Sequence, residues 1–192
     1  MAKGFQWTEL LDILSENVRL VNASRPGGKS RYAPLHQAAY GGAPSEVVAR
    51  LLELGAFRSL RDESGHRPVD IALSRSHVHL LSLLHPIQKH DIPGQVLCDI
   101  QRHFHKVIRG RVDELVQKQA LRLPELEILL EFDRGNFWFP VPGMMGGFSF
   151  WLDADGPNAK LIAESWSRMV GGSGERHEIT RDGSTLTEEG FV

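Results

Sequence analysis

Two short stretches of this 192-residue chain fall on top of one another when the sequence is slid by 34 positions, which restricts the fold more than any other feature. Pro34, Leu35 and Ala38 then lie over Pro68, Val69 and Ala72. A period of this size marks a helical unit that cannot bury its apolar stripe alone and is stabilised by stacking on its neighbour. Each proline suits the first turn of a helix, where no backbone donor is needed. Val47, Val48, Leu51 and Leu52 then lie on one face of a second helix, and Gly55 fits the left-handed position that closes it.

The residues carry a resemblance as well as a period. Ala33-Pro34-Leu35-His36-Gln37-Ala38-Ala39, followed by Glu46-Val47-Val48, Leu51-Leu52 and Gly55-Ala56, resembles the ankyrin repeat, with its Thr-Pro-Leu-His-x-Ala-Ala opening. The second copy is weaker, with Arg67 in the Thr position and Asp70 in the His position, and Gly41 to Ser45 carries one extra residue. The likeness covers residues from about 5 to 86. It implies that His36 bonds neighbouring backbone and holds the turns together. It also implies that turn tips and first-helix faces meet a protein partner, here at Tyr32, Tyr40, Arg61, Glu63, Ser64, His66, Ser74 and Arg75. Tyr and Arg are side chains that commonly anchor protein interfaces.

Upstream, Trp7, Leu10, Leu11 and Leu14 share one helical face, and Arg25-Pro-Gly-Gly-Lys-Ser30 breaks the pattern, as a capping unit with a polar outer side would. After Pro86 the repeat register ends. Leu97, Ile100, Phe104, Val107 and Ile108 share a helical face, Gly110 marks a break, and Val112, Leu115 and Val116 continue in a second helix. From about Leu121 short aromatic and aliphatic runs alternate with Gly- and Pro-rich breaks. Phe137 to Val141, Phe148 to Leu152 and Lys160 to Trp166 read as antiparallel strands, and Arg181-Asp182-Gly183-Ser184 reads as a hairpin turn. Trp151 and Trp166 are expected to pack on the preceding helices. The expected fold is α+β: a short ankyrin-type array with its cap at 1–90, linking helices at 91–120, and a small antiparallel β-sheet at 121–192 packed on the array through those helices.

Composition narrows the function. A formal charge of -2 and 41% apolar residues fit a soluble globular chain and offer no bulk positive field for nucleic acid or anionic lipid. No apolar run has signal-peptide or membrane-span length, so a cytoplasmic setting is expected, with Cys98 as a small buried thiol. Nine histidines invite a metal, but His77 with His79 and His103 with His105 diverge on a helix, and no Cys pair or acidic loop completes a set. No metal or other cofactor is expected.

Two glycine-dense stretches remain, Pro142 to Gly147 and Gly171 to His177. Successive glycines let backbone N–H groups converge on an anion, with Arg168, Ser173, Arg176 and His177 as the polar candidates. Neither stretch has P-loop spacing. Ser165, His177 and Glu164 have the composition of a catalytic triad, but Glu164 and Ser165 are neighbours on a strand and point to opposite faces. The reading is therefore a non-enzymatic module that binds another protein, such as an inhibitor or immunity-type partner by analogy of size and fold. The alternative is a small-ligand binder or enzyme with its site near Gly171 to His177.

Overall fold

The computed structural model describes residues 4, 6–25, 27–168 and 172–190, and the chain divides into two compact units, Met1–Ile87 and Gln88–Val192. The first is helical and the second combines a long helix with an antiparallel sheet, so the chain is α+β.

In the first unit, α1 (Trp7–Glu16) is followed by a 3-10 turn (Val18–Leu20) and then by α2 (Pro34–Gly41), α3 (Ser45–Glu53), α4 (Pro68–Ser74), a second 3-10 turn (Val78–Leu80) and α5 (Leu81–Leu84). Pro34 and Pro68 both stand in the first turn of their helices. The internal repetition extends to the hydrogen bonds. The Ala33 amide donates to His36 Nδ1 at 3.3 Å, and 34 residues on the Arg67 amide donates to Asp70 Oδ2 at 2.8 Å. Each bond supplies a donor at the helix entry with an acceptor three residues later. At the other end the Ala43 amide donates to Ala38 O and the His77 amide to Ala72 O, at the same displacement. Gly42 takes φ +61, and a Cβ there would lie 2.7 Å from the His77 ring, so that turn admits no larger residue without displacement.

The core of this unit joins all its helices, through Leu10, Leu14, Leu35, Ala38, Val48, Leu51, Ile71, Ala72, Leu80 and Leu84. Polar side chains tie the units of the repetition together. Asn22 donates to Gly55 O at 2.8 Å and accepts from the Phe57 amide at 2.9 Å, and Arg58 Nε donates to Leu83 O. His77 and His79, expected to diverge, have rings 6.2 Å apart, and each meets a backbone carbonyl, Ala39 O at 2.9 Å and Ala43 O at 3.1 Å. Their role is to satisfy the chain between α2 and α3.

The second unit opens with α6 (Gly94–Lys118). It runs as two helical segments joined by a kink at Val112 (φ -144, ψ 30), two residues beyond the expected break at Gly110. A 3-10 segment (Leu126–Glu131) leads into β1 (Phe137–Val141), β2 (Gly146–Ala154), β3 (Lys160–Ser167), β4 (Ser173–Thr180) and β5 (Gly183–Gly190), a meander in the order β1-β2-β3-β4-β5. The Arg181-Asp182 turn joins Thr180 to its partner Gly183. Period-two alternation sends Phe148, Phe150, Leu161, Ala163 and Ile179 to one face, where they pack with Ile100, Phe104, Val107 and Ile108 of α6. Phe104 meets Phe150 at 5.0 Å and Phe148 at 6.4 Å.

Two expectations are corrected here. Cys98 is exposed, because it falls between the buried positions Leu97 and Ile100 on the outward side of α6. Trp151 and Trp166 lie on the sheet face turned away from α6. There Trp166 stacks on Trp138 at 5.3 Å, Arg176 lies over Trp151 at 5.8 Å, and Lys160 pairs with Glu178. The strand register explains it: Trp166 is opposite Gly147 and Trp151 opposite Ile162, one position out of phase with the phenylalanines. At the margin of the sheet β5 is exposed along nearly its whole length.

Candidate functional site

The first unit gathers several of the expected partner-facing residues. Tyr32, just before α2, stacks on His36 at 5.6 Å and meets Tyr40 at 6.1 Å, two turns along the same helix. Arg75, at the end of α4, lays its guanidinium over the Tyr40 ring at 4.2 Å. A cation over an aromatic face contributes about 0.5–1 kcal/mol at an exposed site, enough to hold both side chains in one arrangement. His36 is fully buried and serves as the floor. The Tyr32 hydroxyl is held above its ordinary value, first by burial and then by the Asp62 carboxylate and Tyr40, with Arg75 opposing.

Beside this cluster stands the turn from Arg61 to His66. Its centre is Asp62, whose carboxylate is 5% exposed. Asp62 Oδ1 accepts the Ser64 and His66 amides at 2.8 Å each, and the Asp62 amide donates to His66 O. Gly65 takes φ +82, the left-handed conformation that lets the turn close. Arg61 Nη1 donates to Gly65 O at 2.7 Å. The turn is fastened to the segment before α2 by the Glu63 amide on Ser30 O and by Arg31 on Glu63 at 2.6 Å. Side chains separated by more than 30 positions therefore form one surface: Tyr32, Tyr40, Arg61, Glu63, Ser64, His66 and Arg75. Ser74 is directed elsewhere, its hydroxyl donating to Ile71 O at 2.8 Å within α4. Arg31 also belongs to this surface and was not anticipated. Its place three residues before Pro34 was the available signal, and its pairing with Glu63 was not.

In the second unit the expected anion site does not assemble. Ser173, Arg176 and His177 belong to β4 rather than to a loop, while Gly171 lies outside the described residues. Strand alternation then divides the four candidates. Arg176 extends from the face away from α6, paired with Glu164 at 3.0 Å, and Arg168 lies there over Trp166 at 5.4 Å. Ser173 and His177 fall on the face toward α6. Glycines 146 and 147 serve close packing, since a Cβ at Gly146 would lie 1.9 Å from Trp166 O and one at Gly147 2.3 Å from Phe139 O.

On the α6 face the sheet does set Ser165, Glu175 and His177 near one another, with Glu175 directly opposite Ser165. The chemistry of a nucleophile is nevertheless missing. Ser165 is 2% exposed, its hydroxyl has no partner, and His177 does not reach it. Glu175 instead pairs with Arg111 of α6, whose Nη2 also donates to Ser173 O at 2.9 Å and Ser173 Oγ at 2.8 Å. Burial pushes His177 below its ordinary value, with Glu175 opposing and Arg111 adding to the effect. A groove of about 680 Å³ beside the kink is lined by residues including Arg109, Asp113, Leu115 and Met144. Arg109 and Asp113, four residues apart on α6, are paired at 2.7 Å. Arg111 was not anticipated, because its partners lie 62 and 64 positions away and leave no local signal.

Among the described residues no helix is long and apolar enough to cross a membrane, and no group of three or more His, Cys, Asp or Glu is arranged for a metal ion. No family model matches this chain, and no solved structure matches it.

Proposed function

We propose that the chain is a non-enzymatic protein-binding module whose first unit is an ankyrin-type array, and that the surface of Tyr32, Tyr40, Arg61, His66 and Arg75 grips the partner. One observation carries this reading. Two tyrosines and an arginine stand together at the surface, with Tyr40 39% exposed, beside a turn whose own polar groups are tied internally. Pre-ordered aromatic and guanidinium side chains lose little freedom on association, which favours affinity at a small interface. Ankyrin identity draws its support from the residues named above and from hydrogen bonds that recur at the same displacement. An inhibitor or immunity-type role, in a cytoplasmic setting, is the form of this reading that analogy of fold suggests.

The test is capture of a stoichiometric protein partner by the full chain from native extract, beside the Tyr40→Ala/Arg75→Ala variant. The expected result is retention by the unmodified chain and at least tenfold weaker retention by the variant, with melting lowered by no more than about 4 °C. Equal retention by both would overturn the assignment to this surface.

A further inference from the structure

A second place for a partner lies in the other unit and is independent of the array surface. We infer that β5 takes up a sixth strand: an extended segment of a partner protein, rich in Lys or Arg, that pairs its backbone with the open edge of β5 and sets a cationic side chain against Glu188 and Glu189.

The edge supplies the backbone half of this contact. The meander ends at β5, which pairs with β4 alone and is exposed from Ser184 to Gly190. A strand so placed presents N–H and C=O groups to an incoming chain. At the opposite margin β1 is the poorer edge, since Pro140 has no N–H to donate. Within β5 the register shifts at Thr187, the additional residue between Leu186, opposite His177, and Glu188, opposite Arg176. Its hydroxyl donates to Arg176 O at 3.1 Å, which fastens this bulge to β4. A bulge sharpens the local twist, so the edge suits a short segment able to follow it.

Charge names the side chains of that segment. On the face away from α6, Arg176 bonds Glu164 at 3.0 Å and stands 3.9 Å from Glu188, whose side chain is 73% exposed. On the other face Glu189 is directly opposite Glu175, whose carboxylate is taken by Arg111. Among the described residues Glu189 has no ion pair of its own. In these pairs two guanidinium groups serve four carboxylates, and like charges opposite one another on a sheet are destabilising. A Lys or Arg beside Glu188 or Glu189 relieves that repulsion. β5 itself holds neither residue, so a second copy of the strand does not supply the cation. The unit as a whole agrees, with twelve Lys and Arg against sixteen Asp and Glu in residues 88–192.

There is also room for the end of one long side chain. Gly174 and Gly190 face each other across β4 and β5, next to Trp166, and a cavity of about 100 Å³ opens there, with Glu164, Trp166, Arg176 and Glu188 in its lining. An indole beside carboxylates attracts a cation through both. Leu186, 47% exposed, adds an apolar contact along the same edge.

The experiment is selection of a random 12-residue peptide display library on the full chain, then fluorescence anisotropy and amide hydrogen exchange with synthetic copies of the peptides recovered. Peptides whose binding is lost in Tyr40→Ala/Arg75→Ala belong to the array surface and are set aside. The remainder are expected to hold at least threefold more Lys and Arg than the starting library and to slow exchange in residues 183–190. Their affinity should fall about tenfold between 50 and 300 mM NaCl. Glu188→Lys/Glu189→Lys should lose the enrichment or turn it toward Asp and Glu, while Glu188→Asp/Glu189→Asp keeps it. Unchanged exchange in β2 and β3 reports that both variants fold. Neutral or acidic peptides, binding without slower exchange at 183–190, or no peptide left once the array binders are removed would overturn the inference. So would slow exchange at 183–190 that arises without peptide, from a dimer seen by sedimentation at micromolar concentration. The two readings fail separately: capture that depends on Tyr40, with no basic peptide on β5, keeps the array surface and removes the sixth strand.

Discussion

Single atoms already constrain this chain in both directions. The Ser165 hydroxyl is buried without a hydrogen-bond partner, so it contributes an unreturned desolvation cost. Ser165→Ala is therefore expected to raise stability by about 1 kcal/mol, read as a higher urea midpoint at unchanged slope. Gly146 is the reverse case. Its added methyl would press on Trp166 O at 1.9 Å, and main-chain oxygen in a paired strand cannot move aside. Gly146→Ala should cost roughly 3 kcal/mol, the upper range of overpacking, measured by the same denaturation. The glycine run Gly143 to Gly147 was readable in the sequence as unusual, but not its reason. Anion cradles and close strand approach both call for a missing Cβ, and only the neighbour across β3 separates them.

Elements were legible in proportion to how local their signals are. The entry of α2 and α4 follows from Pro34 and Pro68, and the strands follow from alternation around Phe148, Phe150, Leu161 and Ala163. Which face of a strand finds a helix is not local. Trp151 and Trp166 looked like core because indoles are large, yet they share a face with Arg176, Lys160 and Glu164, and those charges would not enter an apolar core unpaired. The α6 kink at Val112 escaped a reading that took Gly110 as the breaker, because helical glycine costs only about 1 kcal/mol and packing outweighs it. Ser74 illustrates the same limit within the candidate surface: its side chain folds back on α4, a choice that sequence position does not reveal.

Titration also belongs to the elements. His105, on α6, is held below its ordinary value of 6.5 first by burial, with the Pro124 carbonyl opposing, and His177 on β4 is lowered by burial too. A group whose folded value is lowered gives stability that is present above the unfolded value and lost as pH falls below it, since the unfolded chain takes a proton that the folded one refuses. Melting temperature should therefore decline from pH 6.5 downward. His105→Gln/His177→Gln should flatten that decline, and a slope unchanged in the double variant would place its origin in other groups.

Across the whole molecule two apolar cores stand apart in sequence, one drawn from residues 10–84 and one from 92–179. A cavity in one should loosen its own unit first. Leu51 is fully buried in the first core, so Leu51→Ala is expected to cost about 2–5 kcal/mol. Hydrogen exchange followed by mass spectrometry should show that loss in α2, α3 and α4, with β2 and β3 retaining their protection. Equal loss in both would mean that the two cores melt as one. The binding surface belongs to the first unit, so its affinity should track the stability of that unit.

The bare outer flank of β5 has a practical meaning for anyone who concentrates this protein. Its main-chain donors and acceptors face outward unclaimed, and the strand carries no proline to blunt them. Side by side in parallel, two such flanks would set Glu188 and Glu189 against their own duplicates; head to tail and in full register, they would set them against Thr185 and Ser184 instead. Clumping in crowded solutions should therefore begin head to tail, and a glutamate put at Thr185 should keep those solutions clear to light scattering.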